Sequence, residues 1–324
     1  MRAPAHWDRD GLLARALSPL GRLYAAATSR RVRREGLRLP VPVISVGNLT
    51  AGGTGKTPVV MDLLQRLGGM GLRAHVVTRG HGGRLPGPVR VDPRHHGADE
   101  VGDEPLLLAA RGPVWVARDR AAGGRAAVEA GAQALILDDA HQNPALRKDL
   151  SLVVVDAEAG FGNGFCIPAG PLREPVATGL SRADLAVVLG PAAMRRTRLA
   201  ALGSLPVVEG ELVPHGDGPD WAGMRVLAFA GIGRPEKFFA TLRALGTEVV
   251  RAVPLADHRP LGEGLMRGLA AEADALGVRL VCTEKDAVRL SPHRRTGVLT
   301  LPVRIEWADD RPLRAALESV LERG

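Results

Sequence analysis

Residues 43–57 read Val43-Ile-Ser-Val-Gly-Asn-Leu-Thr-Ala-Gly-Gly-Thr-Gly-Lys-Thr57, with Pro58 following. The opening run is short and apolar apart from Ser45, as expected of a buried parallel strand. The glycines then give a backbone that can turn its N–H groups inward on an anion. A helix starting near Lys56 aims the positive end of its dipole at the same point. In such a loop the lysine, Lys56, reaches the β- and γ-phosphates of a nucleoside triphosphate, and the Thr57 hydroxyl binds Mg²⁺. Thr50, Ala51, Gly52, Gly53, Thr54 and Gly55 are the remaining expected nucleotide contacts. Two positions are variant: Thr50 stands where the strict pattern has glycine, and Ala51 stands where partition-type ATPases carry a lysine.

Outward from this loop, apolar β-rich runs alternate with helical patterns. Val43–Val46, Ala74–Thr78, Val114–Val116, Ala134–Leu137, Leu152–Val155 and Leu185–Leu189 read as buried strands. Helical stretches such as 57–67, 104–110 and 118–130 lie between many of them. The pattern is an open parallel sheet with helices on both faces. Near 191–223 the periodicity weakens, Pro206–Val213 reads as an exposed strand, and the His215-Gly-Asp-Gly-Pro219 turn cluster suggests a linker. A second α/β run follows, and the chain closes with a helix over 311–321. The expected organisation is an amphipathic segment at 1–38, a P-loop domain at 39–204, a linker at 205–224 and a second, smaller α/β domain at 225–324.

Composition is consistent with this and narrows the partners. The chain has 324 residues, 45% hydrophobic and 24% charged, enough for two domains with real cores. No apolar run is long enough to cross a membrane, and the start lacks the pattern of a signal peptide. Cys166 and Cys282 are the only cysteines, which fits a reducing cytoplasm and excludes a disulfide framework. Aromatics are 3% of the chain, too sparse for the stacking that single-stranded nucleic acid requires. Only Lys56, Lys148, Lys237 and Lys285 are lysines in an arginine-rich chain. A surviving lysine hints at a need for a compact ammonium, although Lys148 and Lys237 have no obvious task.

The positive charge is uneven. Residues 1–38 hold nine arginines against Asp8, Asp10 and Glu35, which is +6 of the total +8. Ser18-Pro19 reads as a helix start, dividing the segment into two helical pieces. Leu13, Leu17, Leu20, Tyr24 and Ala27 form one apolar stripe. Such a helix either packs on the protein or lies in a membrane interface, with its arginines on lipid phosphates.

A metal-binding carboxylate should close a strand beside the phosphate loop. The run Ala134-Leu-Ile-Leu-Asp138-Asp139 supplies two. A GTPase would show Asn-Lys-x-Asp; Thr283-Glu-Lys-Asp286 has its Lys and Asp adjacent, so ATP is the better nucleotide. A hydroxyl acceptor also needs a base, and Asp103, Glu104, His81, His141 and His258 are candidates.

These motifs, in order, resemble the tetraacyldisaccharide 4'-kinase family. They are Pro42 to Asn48 with Gly52 to Pro58, Thr78-Arg-Gly-His-Gly-Gly83, Gly102-Asp-Glu-Pro105, Asp138-Asp139, Pro168-Ala-Gly-Pro-Leu-Arg-Glu-Pro175, Ala230-Gly-Ile-Gly-Arg-Pro235, Asp257-His258 and Thr283-Glu-Lys-Asp286. The resemblance implies ATP and Mg²⁺, and an acylated glucosamine disaccharide 1-phosphate as acceptor. It implies a peripheral position on the anionic cytoplasmic face of the inner membrane; no obligate protein partner is inferred. It assigns Asp103 as base with His258 beside it, and places Arg79, Gln142, Arg173 and Glu174 near the substrate or behind the metal. The chain departs from the family's usual Asp-Asp-Gly-Phe-Gln-His at Ala140, His141 and Asn143, and carries Arg259 where a second His is usual. A kinase of another polar lipid or sugar, and a membrane-attached nucleotide switch, are the alternatives.

Overall fold

The computed structural model describes residues 4–7, 9–216, 218–257 and 260–322. Its strands are β1 (Val43–Gly47), β2 (Ala74–Thr78), β3 (Val89–Arg90), β4 (Val114–Val116), β5 (Ala134–Asp138), β6 (Leu150–Asp156), β7 (Leu185–Leu189), β8 (Val207–Pro214), β9 (Arg225–Ala230), β10 (Glu248–Pro254), β11 (Arg279–Thr283), β12 (Val298–Leu301) and β13 (Val303–Trp307). They form a nine-stranded sheet ordered β13-β8-β7-β6-β1-β5-β2-β4-β3 and a four-stranded sheet ordered β10-β9-β11-β12. The small sheet is parallel throughout. In the large one only the outermost pairs, β13 with β8 and β3 with β4, run antiparallel.

The apolar runs are continuous because both faces of the large sheet are covered. Ile44, Val46, Val76, Ile136, Leu152 and Val187 point to one side, under Val59, Val60, Leu63 and Leu67 of α2 (Lys56–Gly69). Val43, Val77, Leu135 and Leu137 point to the other, where Ala127 of the 120–129 helix and Leu146 close over them. The small sheet is wrapped likewise, with Phe238, Phe239 and Leu242 on one face and Met266, Leu269 and Ala273 on the other.

Two features differ from the sequence reading. The exposed strand expected at 206–213, placed in the linker, is β8 of the large sheet and pairs in parallel with β7. The chain leaves for the small lobe only after Pro214, then returns. β13 adds antiparallel to β8, with Ile305 opposite Leu212. The helix Arg311–Leu321 then buries Leu313, Leu317 and Val320 in the core of the large lobe. The alternation Val303-Arg-Ile-Glu-Trp307 carries the period of a half-buried strand.

The second difference is at the N-terminus. One helix, α1 (Leu12–Val32), runs through Pro19 instead of starting there. Proline removes one intrahelical bond, and here it does so on the outside: Pro19 and Arg15, whose carbonyl that bond would use, are both exposed. The buried face of α1 is Ala14, Gly21, Ala25 and Thr28. The large apolar side chains face outward instead, with Leu12 89% and Leu23 69% exposed and Leu13, Leu20 and Tyr24 also exposed.

The returning C-terminal helix is part of the core of the large lobe, so truncating its centre should be as costly as truncating any core leucine. Leu317→Ala is expected to lower stability by about 2–5 kcal/mol, measured by urea unfolding. A loss under about 1 kcal/mol would mean that the helix contributes little to that core.

Candidate active site

β1 lies between β5 and β6 at the centre of the large sheet, and its C-terminal end releases the glycine loop. Gly52 (φ 119°) and Gly55 (φ 90°) occupy backbone conformations that disfavour a side chain. A Cβ on Gly52 or Gly53 would meet nothing within 4 Å, so this stretch borders open space. Asn48 Nδ2 donates to Gly52 O (3.3 Å) and to Thr54 Oγ1 (3.2 Å), bracing the loop from inside. From outside, Ala51 N donates to Pro171 O and Arg173 N to Leu49 O, both at 2.7 Å. Thr50 bridges Leu172 in extended fashion. That pairing needs no glycine, which accounts for the variant residue.

The β1–β5 register sets Val46 opposite Asp138, so the acidic strand end stands beside the start of the loop. Asp138 accepts a hydrogen bond from Thr78 Oγ1 at 3.0 Å. Its burial, with Glu104 and Asp139 nearby, raises its pKa to about 6. Asp139 has φ 49°, the one positive φ of a non-glycine residue among the described residues, and such strain concentrates at functional sites. Its carboxylate lies 3.5 Å from Lys56 Nζ and 2.8 Å from Arg173 Nη1. Burial alone would raise its pKa, but these two cations bring it down to about 2.

These groups fit a nucleotide and a divalent cation. The loop borders open space at Gly52 and Gly53, a helix N-terminus faces it, and Asp138 is a buried carboxylate that makes no salt bridge among the described residues. Among the described residues no three His, Cys, Asp or Glu side chains gather into a metal-binding group. Mg²⁺ does not need one, since it keeps waters and takes phosphate oxygens alongside one or two carboxylates.

Around this centre, Gln142 Nε2 donates to Asn48 O (2.8 Å) and to Glu174 Oε1 (2.9 Å). Glu174 is fully buried and pairs with Arg182. Gln142 and Glu174 therefore stand behind the loop and brace it, while Arg173 reaches the carboxylate in front. Arg79 is exposed just past β2. Arg120 was not anticipated. It is buried, donates to Ala117 O (2.8 Å) and Asp138 O (3.2 Å), and burial lowers its pKa to about 10 against the opposing pull of Asp138 and Asp139.

Asp103 opens a helix, Asp103–Ala109, that faces the small lobe. Its Oδ1 accepts from Glu104 N (2.9 Å), and its Oδ2 accepts from Arg289 Nε (2.9 Å). Beside it, Lys285 lies 3.4 Å from Glu104 and 3.6 Å from Asp257. Thr283 and Asp286 cap the turn that carries Lys285. His258 and Arg259 lie outside the described residues. Of the other candidate bases, His141 is buried, its Nε2 2.9 Å from Gly179 O, and burial lowers its pKa to about 4. Gly102 would place a Cβ 2.5 Å from His81 O, so the 79–83 and 102–105 turns lie against each other.

Lys148, whose role the sequence left open, donates to His141 O at 3.0 Å. Burial and the neighbouring Arg182 pull its pKa down to about 8, with Glu174 opposing. Between pH 8 and about 10.5 the unfolded chain holds a proton that the folded chain has released, so folding gains stability as pH rises through that window. Below pH 8 the whole penalty, roughly 3 kcal/mol, is present. Lys148→Met should therefore flatten the pH 8–10.5 dependence of urea unfolding. It should also raise stability at pH 7 by about 1–3 kcal/mol. Parallel curves for the two proteins would exclude the buried ammonium as the cause.

The chain is similar to known proteins over nearly its whole length. The family model described as "Tetraacyldisaccharide-1-P 4'-kinase" matches residues 13–322. The chain is 59% identical to "Tetraacyldisaccharide 4'-kinase" of Dinoroseobacter shibae, covering 99% of this chain and 98% of that protein. It is 55% identical to the protein of the same name from Rhodospirillum centenum, covering 99% and 97%. Among solved structures it is similar to the "apo" form of LpxK from Aquifex aeolicus in complex with ATP. The TM-score is 0.77 and the identity 25%, over 96% of this chain and 100% of that one. With the loop, the paired strand-end acids and a match over nearly its full length, the chain belongs to the tetraacyldisaccharide-1-P 4'-kinase family.

Proposed function

We propose that the protein transfers the γ-phosphoryl group of ATP to the 4'-hydroxyl of an acylated glucosamine disaccharide 1-phosphate, at the cytoplasmic face of the inner membrane. The observation that carries the reading is the convergence of Lys56, Arg173 and Asp139 at the mouth of the glycine loop, with Asp138 alongside. Family membership supplies the acceptor.

Phosphoryl transfer needs positioning and charge neutralisation more than covalent help from the protein. The amides of residues 50–57 bind the phosphate oxygens, and Lys56 bridges the β- and γ-phosphates. Thr57, Asp138 and Asp139 are the groups that would hold Mg²⁺, which when bound neutralises charge on the phosphates. Asp139 already holds Lys56 and Arg173 in place, so the cations are set before the nucleotide arrives. On this reading Arg79, exposed beyond β2, grips a phosphate through its guanidinium fork. Asp103 accepts the proton of the 4'-hydroxyl as that oxygen attacks phosphorus, with His258 as its expected partner. Gln142 and Glu174 keep the loop rigid from behind.

The outward leucines of α1 support a peripheral membrane position. No described helix is long and apolar enough to cross a bilayer. Leu12, Leu13, Leu20 and Leu23 can instead dip into an interface while the arginines meet lipid phosphates.

The direct test is a transfer assay with labelled ATP and the acylated disaccharide 1-phosphate. Labelled lipid is expected, and its absence with pure, folded protein removes the reading. Asp103→Ala should lower turnover by about 100-fold or more with ATP binding retained; near-normal turnover would reject Asp103 as base. Replacing Leu12, Leu13, Leu20 and Leu23 with serine should weaken flotation with anionic vesicles by at least ~10-fold. Unchanged flotation would remove α1 as the membrane contact.

A further inference from the structure

Arg289 lies three residues after Asp286 and is 6% exposed. Its guanidinium joins the two lobes. On the large-lobe side, Nε and Nη2 lie 2.9 Å and 2.8 Å from Asp103 Oδ2. On the small-lobe side, Nη1 lies 3.1 Å from Asp286 Oδ1, and Nη2 lies 3.1 Å from Gly231 O. Asp286 is itself fixed: it accepts from Gly231 N at 3.1 Å on both oxygens and from Thr283 Oγ1 at 2.6 Å. The arginine thus sits in a rigid socket built by the turns after β9 and β11, and from that socket it reaches the carboxylate of Asp103.

We infer that Arg289 is a positioning residue for phosphoryl transfer, fixing the Asp103 carboxylate from the small lobe so that the base is aligned when the two lobes are packed together. The inference rests on the reading of Asp103 as the base. Asp103 Oδ1 is tied to Glu104 N and Oδ2 to Arg289. The carboxylate plane is then fixed from two directions. Misplacement of a catalytic group by about 1 Å costs on the order of 100-fold in rate. A buried carboxylate that loses its cation does not stay where it was. The fork geometry matters as well as the charge: a lysine offers one compact ammonium and cannot span Asp103 and Asp286 as a guanidinium does. Around the carboxylate, Glu104 stands on its own helix, and Lys285, Asp286 and Arg289 approach from the small lobe. Lys285 is engaged with Glu104 and Asp257.

The test uses the full-length protein with ATP and the acylated disaccharide acceptor. Arg289→Met is expected to lower kcat by about 30–100-fold, with KM for ATP within about 2-fold of wild type. Arg289→Lys should recover about 3–10-fold of that loss. Asp286→Asn keeps both partners but loosens the socket, and should lower kcat several-fold at unchanged KM; it reads the same effect should Arg289→Met fold poorly. The decisive comparison is the double variant. Because Arg289 acts through Asp103, Arg289→Met should cost nothing further in an Asp103→Asn background. Additive losses, or normal kcat in Arg289→Met, overturn the inference. Near-normal turnover in Asp103→Asn would instead overturn the base itself, which separates the two failures.

Discussion

The pairing of Val46 with Asp138 is the constraint on which the rest of the site depends. Both strands are buried on both faces, so a one-residue slip would turn every side chain over and would be rejected by two packed layers at once. The register therefore fixes where the acidic strand end stands relative to the glycine loop. It also forces a carboxylate into a place where burial opposes ionisation. Thr78 on the neighbouring β2 offsets part of that cost with its hydroxyl. Asp139 escapes by adopting a left-handed backbone and turning toward Lys56 and Arg173. One strand end thus carries two carboxylates shifted in opposite directions, Asp138 upward by burial and Asp139 downward by its two cations.

The return of the chain through β13 changes what the small lobe is. It does not hang from a single linker. Both of its connections, after β8 and before β13, are anchored in adjacent strands of the large sheet. Ionic contacts then flank the site on both sides, Lys285 with Glu104 among them. Arg234 and Lys237 meet Asp156 and Glu158 at 2.8–3.5 Å, with side chains that remain partly in solvent. Arg289 meets Asp103 with both side chains almost fully covered. Solvated pairs contribute little and exchange partners readily. A buried pair holds its geometry, because breaking it strands a charge. The two sides of the lobe contact therefore differ in stiffness, and the stiff side is the one that holds the proposed base.

The sequence showed some of this plainly and hid the rest for physical reasons. Continuous apolar runs located the six strands from β1 and β2 through β4 to β7, because double burial leaves a strong local pattern. The phosphate loop was legible since it needs glycine and lysine at fixed places. The C-terminal return was not. Val303–Trp307 has a strand's alternation that the sequence reading passed over, and nothing local says which of two sheets a strand will join. Among 39 arginines, Arg120, Arg182 and Arg289 gave no individual signal, although Arg289 follows Asp286 at helical spacing. The lysines were better guides than their number suggested. Lys56, Lys237 and Lys285 each meet carboxylates, and Lys148 is held under the carbonyl of His141. The strand at β8 was legible but its sheet was not, because with Val208 and Gly210 its buried positions it resembles an exposed strand in a linker.

The first helix inverts the usual logic of an amphipathic segment. Ordinarily the leucines face the core and small residues are incidental. Here Ala14, Gly21, Ala25 and Thr28 face inward, and the reason is proximity. A Cβ on Gly21 would lie 2.7 Å from Cys166 O, so the helix axis lies close against the 166–169 segment. His6 and Trp7 reinforce the seam, each ring nitrogen about 3 Å from Pro168 O. A few residues further on, Pro171 O and Arg173 N bond the phosphate loop itself. One short stretch, residues 166–173, therefore touches the helix on one side and the loop on the other. On the proposed membrane reading, the outward leucines give α1 its hold on lipid. The close seam then transmits that hold to the glycine loop through a single rigid segment. A bulkier inward face would have cost that closeness, and the leucines are outside because the backbone contact takes the inside.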